Sequence, residues 1–191
     1  MNRHMKLVGS VLGLSLVAIL ASCKSAPPRE SVKPLTSVTV GGSYPTLAAQ
    51  AKELEDALGR KDYGKVIDLT YPKVIEVAGG REKILEETTK EVQSMEADGV
   101  EIISSTCDAP RQFVSEGGNI YAVVPVTSKV KAQDGIFQTE GSLIAISSDG
   151  GKNWTFVDAT GKDQTELKKV LPNLDELSLP PEKPPVKLST K

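Results

Sequence analysis

Histidine is nearly missing from this chain. Its 191 residues contain one, His4, and two cysteines, Cys23 and Cys107. A lone histidine beside the N-terminus leaves the rest of the chain without imidazole. That excludes Ser-His-Asp and Cys-His catalysis there, and any metal site that needs imidazole ligands. The chain also lacks an apolar run of the roughly 20 residues that a membrane-crossing helix requires. The uncharged, mostly apolar run Leu7 to Leu20 has 14. No basic stripe accompanies the formal net charge of −2, so nothing points to nucleic-acid binding.

What is present begins at the N-terminus. Arg3 and Lys6 precede the run Leu7 to Leu20, and small residues then lead to Cys23. A basic start, a short apolar stretch and small residues form a secretory signal. The segment Leu20-Ala21-Ser22-Cys23 resembles the lipobox of bacterial lipoproteins. That resemblance implies a lipid on the Cys23 sulfur and a cut just before it. A plain cleavable signal would export the chain without lipid and would not require a cysteine after Leu-Ala-Ser. Cleavage removes residues 1 to 22 and leaves 169, which suits one domain plus tails. His4 leaves with the signal. So do Arg3 and Lys6, giving 21 basic against 25 acidic residues, a net charge of −4. With Cys23 lipidated, Cys107 stands alone and reads as a small core residue. In the lipoprotein family an Asp after the cysteine retains proteins at the inner membrane. Lys24 stands there in this chain, which leans toward the periplasmic face of the outer membrane.

Residues 23 to 43, with Pro27-Pro28, Pro34 and Gly41-Gly42, read as a flexible tether spanning about 25 Å. A body over residues 44 to 178 follows. Leu47, Ala51, Leu54 and Leu58 recur at helical spacing after Pro45, and Gly59 ends that helix. Asp62 caps a short second helix. Tyr71-Pro72 breaks the chain before Val74, Ile75 and Val77. A longer helix runs from Arg81 to Ala97 with Ile84, Leu85, Thr88, Val92 and Met95 as its buried stripe. Glu82, Glu86, Glu87, Lys90 and Glu91 form its solvated side. After Gly99 the period shifts to two. Strands are predicted over Val100 to Thr106, Arg111 to Ser115, Ile120 to Val130, Ile136 to Ser147 and Trp154 to Val157. Pro125 inside the third suggests an edge or a bulge. A helix from Gln164 to Leu171 stops at Pro172. Residues 179 to 191, rich in proline, read as a disordered, solvated tail.

Helices first and a strand meander after them make an α+β class. The order of elements over residues 44 to 171 resembles the cone fold of nuclear transport factor two-like, or ketosteroid isomerase-like, proteins. The resemblance rests on the Pro45–Gly59 helix, Asp62-Tyr63-Gly64-Lys65-Val66-Ile67, Tyr71-Pro72, Gly79-Gly80-Arg81-Glu82-Lys83-Ile84 and the closing Trp154-Thr155-Phe156-Val157. It implies a strongly curved antiparallel sheet wrapped around helices, with an apolar pocket inside. Enzymes of that fold place an Asp base, an Asp-His pair or a Tyr donor in the pocket. The Asp-His version is unavailable without histidine. An Asp–Tyr version has Asp62 or Asp68 as base and Tyr63, Tyr71 or Tyr121 as donor. Against it, Asp62 serves as a cap, Asp68 lies on an exposed side, and tyrosines bury rings while their hydroxyls reach water. No motif maps residue by residue onto a family active site, so no catalytic residue, metal ligand or cofactor is assigned.

Ser147-x-Asp149-x-Gly151-x-x-Trp154 resembles an Asp-box, the hairpin motif of sialidase-type propellers, but it occurs once and a propeller needs repeats. It therefore reads as a structural hairpin. The expectation for function is a non-enzymatic, lipid-anchored module of the bacterial cell envelope that binds a small apolar ligand or a partner protein. The alternatives are a small isomerase, dehydratase or hydrolase using Asp and Tyr, and a passive structural lipoprotein dimerising through its sheet.

Overall fold

Proline and glycine punctuate this chain where the backbone must turn, and the segments between them fold as their apolar spacing requires. The computed structural model describes residues 44–172, 177–181 and 183–189. The expected signal, Cys23 and the expected tether lie outside them. Four helices come first: α1 (Pro45–Gly59), α2 (Tyr63–Asp68), α3 (Pro72–Val77) and α4 (Arg81–Ala97). Strands β1 (Glu101–Cys107), β2 (Gln112–Glu116), β3 (Asn119–Ala132), β4 (Gly135–Ser147) and β5 (Thr155–Asp158) follow, then α5 (Gln164–Lys168) and β6 (Val186–Ser189). The class is α+β. Among the described residues, five helices accompany a curled antiparallel sheet that forms a half-barrel, a cone-like arrangement.

Local chemistry explains the helix boundaries. Pro45 and Pro72 occupy first turns, where a missing N–H costs nothing. The Lys65 backbone N–H donates to Asp62 Oδ1 at 3.1 Å and starts α2. Helix α1 ends on Gly59 as expected, but Gly59 is not the left-handed residue of its terminus. The left-handed residue is Lys61, at φ 58°, and its ammonium reaches Glu96 at 2.5 Å. Leu47, Ala51, Leu54 and Ala57 form the buried face of α1. Truncating a buried leucine such as Leu47 to alanine would cost about 2–5 kcal/mol.

The sheet is built around one long hairpin. Strands β3 and β4 pair without interruption from Ile120↔Ser147 to Ala132↔Gly135. Each carries two further partners: β1 and β2 along β3, β6 and β5 along β4. Pro125 is therefore not on an edge strand. The Asp108 N–H donates to its carbonyl at 2.8 Å, so its nitrogen faces the same side. That side is the break between β1 and β2, where no donor is needed. A register shift between Ile102 and Ser104 marks a bulge in β1, and Ile103 there is exposed.

Both faces of the central strands are covered. Ala122, Val124 and Val126 pack with Leu143, Ala145, Trp154, Phe156 and the α1 stripe. The alternate residues Tyr121, Val123, Ile144, Ile146 and Val157 pack with Ile67, Val74 and Ile84, and with Leu167, Val170, Leu171 and Leu177. The tail departs from its reading as a solvated end. Phe137 and Gln138 of β4 pair with Lys187 and Val186 of β6, and Lys183 reaches Glu140 at 2.6 Å. The β-branched and apolar residues of Val186–Ser189 answer the backbone groups that β4 leaves open beyond β5.

Candidate functional site

A cavity of about 150 Å³ lies at the seam between the two apolar clusters. Leu54 and Leu58 of α1, Val126 of β3, Leu143 of β4 and Phe156 of β5 form one wall. Ile67 and Val74 of α2 and α3, with Leu167 and Val170 at α5, form the other. The mouth is marked by Val77, Glu166 and Lys169, all exposed. Short helices leave this seam open. α2 and α3 have six residues each, and the connection between them runs along β5 instead of crossing it. The Tyr71 N–H donates to the Phe156 carbonyl at 2.9 Å, and the Phe156 N–H donates to the Leu69 carbonyl at 2.8 Å.

Two residues of this lining, Asp158 and Thr88, each bury a side-chain oxygen that has no hydrogen-bond partner. Asp158 ends β5, and its Oδ1 accepts the Thr160 N–H at 2.9 Å. Its Oδ2 is buried and accepts no hydrogen bond. Lys162 Nζ stands 3.8 Å from that oxygen, beyond hydrogen-bond range. Burial pushes the Asp158 carboxyl up, and the Lys162 cation and the Thr160 hydrogen bonds only partly oppose it. Thr88 on α4 is the second case. Its side chain is buried and its Oγ1 is unpartnered. The neighbouring Thr89 Oγ1 donates to the Leu85 carbonyl at 2.7 Å, the usual outlet for a helical threonine. Thr88 does not use it. One turn on, Glu91 is half-buried rather than solvated as expected. Burial raises its carboxyl pKa against the pull of Lys162, and Thr88 of α4, Lys162 and Asp158 all line the cavity.

The residues singled out in the sequence sit elsewhere. Asp62 and Asp68 are exposed, one capping α2 and the other paired with Arg81 at 2.9 Å. Tyr63, Tyr71 and Tyr121 are not among the lining residues. Burial raises the Tyr63 and Tyr71 phenols, and the Tyr121 hydroxyl accepts from Asn119 Nδ2 at 3.2 Å. None of these aspartates meets a tyrosine in the cavity. Cys107 does line it, but burial and the Glu55 carboxylate push its thiol up to about 12. A thiol so protonated is a poor nucleophile. Glu55 accepts a hydrogen bond from the Cys107 backbone N–H, tying α1 to the end of β1. Asp158, Thr88 and Lys162 were missed as site residues. The available signals were a carboxylate wedged between Val157 and Ala159 at a strand end, and a hydroxyl inside the buried stripe of α4.

The Asp149 turn is structural, as expected. Asp149 Oδ1 accepts the Lys152 and Asn153 N–H groups at 3.0 and 2.9 Å, and Oδ2 accepts Asn153 Nδ2 at 2.7 Å. Ser147 Oγ donates to Oδ1 at 2.8 Å and accepts the Gly151 N–H at 2.9 Å. The Asn153 backbone N–H leads these bonds in holding the Asp149 carboxyl far below the usual range. Trp154 is buried beyond the turn, its Nε1 within 3.2 Å of both the Gly151 carbonyl and Thr46 Oγ1.

Among the described residues no helix is long and apolar enough to cross a membrane. The chain matches no known protein-family model and no curated protein sequence.

Proposed function

We propose that this chain is a lipid-anchored protein of the bacterial cell envelope, and that its cone-like body, of the nuclear transport factor two-like kind, binds a small apolar ligand without transforming it. The cavity carries the reading. About 150 Å³ of space, lined mainly by Leu, Ile, Val and Phe and opening between Val77, Glu166 and Lys169, remains unfilled beside the packed core. A dry apolar void of about that size accommodates a benzene-sized guest. Structure alone gives no reason to keep one, since filling such a void is a common route to stability. The anchor half of the proposal rests on Leu20-Ala21-Ser22-Cys23. Acyl chains contribute about 0.8 kcal/mol per buried methylene, so two or more hold a protein stably.

The full chain, purified from cell membranes and extracted with solvent, should release an apolar small molecule in near-stoichiometric amount. Val170→Phe, which projects a ring into the cavity, should lose it. No extractable ligand, together with no thermal shift on adding toluene, would defeat the binding reading. Cys23→Ser should appear in the soluble fraction or be mislocalised; unchanged detergent-dependent membrane association would defeat the anchor reading.

A further inference from the structure

An apolar guest alone would leave the cavity's polar atoms unanswered. Thr88 is 1 % exposed, lines the cavity and lacks a hydrogen-bond partner. Asp158 lines it too, and its Oδ2 is buried and equally without a hydrogen-bond partner. Native interiors pair the large majority of such atoms, and of the three orphans among the described residues two belong to cavity residues and one, Thr139 Oγ1, does not. We infer that the ligand carries a neutral hydroxyl on a one-ring or short-chain apolar body, with Asp158 Oδ2 accepting its hydrogen bond and Thr88 Oγ1 offering a second polar contact from the α4 wall.

This rests on the proposed ligand binding and specifies the chemistry bound. The sign and type of the head group follow from the surrounding charges. Glu55, Glu166 and Asp158 line the cavity against Lys162 and the exposed Lys169 at the mouth, so a carboxylate ligand would face more acids than bases. A cationic head would compete with Lys162, already 3.8 Å from Asp158. A neutral donor suits the vacant oxygen without displacing that ion pair. A site built around a hydroxyl also rejects the analogue lacking it, because the site's own buried groups then stay unpaired. The volume limits the body to about one ring.

The test uses the full chain in detergent, with ligand-observed NMR titrations of phenol, toluene and benzoate. Wild type is compared with Asp158→Asn, Thr88→Val and the filled cavity of Val170→Phe, so that partition into detergent cancels. Circular dichroism confirms that each variant is folded. Phenol should bind wild type about tenfold or more tightly than toluene, and benzoate should not saturate. Asp158→Asn and Thr88→Val should each erode that preference by about threefold to tenfold while toluene affinity holds within about twofold. Equal affinity for phenol and toluene, a preference untouched by both substitutions, or saturable benzoate binding would overturn the inference and leave the apolar-ligand reading standing. If neither neutral probe binds wild type more than it binds Val170→Phe, the ligand-binding function falls and the inference falls with it.

Discussion

Asp149 and Asp158 stand nine positions apart, before and at the end of the same short strand, and their carboxylates live in opposite conditions. Asp149 accepts bonds from Lys152, Asn153 and Ser147 around a tight turn. Asp158 keeps one oxygen occupied by Thr160 and the other buried without a partner. The first shapes backbone: it organises Gly150 and Gly151, at φ 76° and 89°, so that Trp154 enters the core. The second has only the Lys162 ammonium, 3.8 Å away, beside its free oxygen. A carboxylate whose acceptor capacity is used up by its own loop is a structural device. One left without a hydrogen-bond partner beside an apolar cavity is the group that the proposed ligand would meet.

The largest effect expected from disturbing this contrast comes from the turn. A Cβ on Gly151 would lie 2.4 Å from the Tyr44 ring, on a backbone at φ 89°. Gly151→Ala should therefore cost about 3 kcal/mol, read as a lowered midpoint in urea unfolding. A loss near zero would mean that the turn is not clamped by Tyr44.

Next comes pH, where the two aspartates should pull in opposite directions. The folded pKa of Asp149 is depressed, so its stabilisation is present above the unfolded value of about 3.9 and is lost as pH falls toward its folded value. Asp149→Asn should lower the melting temperature at neutral pH, and the gap to wild type should narrow below about pH 4. A constant gap across pH would show that the turn depends on shape and not on the charge.

The smallest effect should be a gain. The folded pKa of Asp158 is raised, so its contribution is fully present below about pH 3.9 and is lost as pH rises through the folded value. Asp158→Asn keeps the Oδ1 bond and removes the buried charge. It should stabilise the protein by about 1 kcal/mol at neutral pH, with no gain at pH 3. Destabilisation at neutral pH would instead make Asp158 a structural partner of Lys162 and erase the contrast.

Much of the fold was legible because periodicity and punctuation agreed. The Arg81–Ala97 helix, the Gly117-Gly118 turn and the period-two run through β3 appear where the sequence put them. Pro125 was misplaced because a proline's tolerance depends on which neighbour its nitrogen faces, and two short strands meeting beside β3 cannot be foreseen from β3 itself. The β6 pairing was missed for a similar reason: Pro180 to Pro185 dominate the composition, whereas the pairing depends on an edge that β4 leaves open. The site was barely legible. Asp62, Asp68 and the tyrosines drew notice by residue type, and type says nothing about which side a group faces. Asp158 matters through what surrounds it, and those groups come from α4, β5, the loop holding Lys162 and α5.

The Tyr44 ring lies 5.2 Å from Phe113 of β2 and 5.4 Å from Trp154, above Gly151. Any tension along the residues that precede it therefore enters the body at an aromatic clamp joining two separated parts of the sheet. The load would be shared by β2 and the β4–β5 hairpin before it could unwind the first turn of α1. A domain held by its N-terminal side to a moving surface would be pulled at one of its best-packed points.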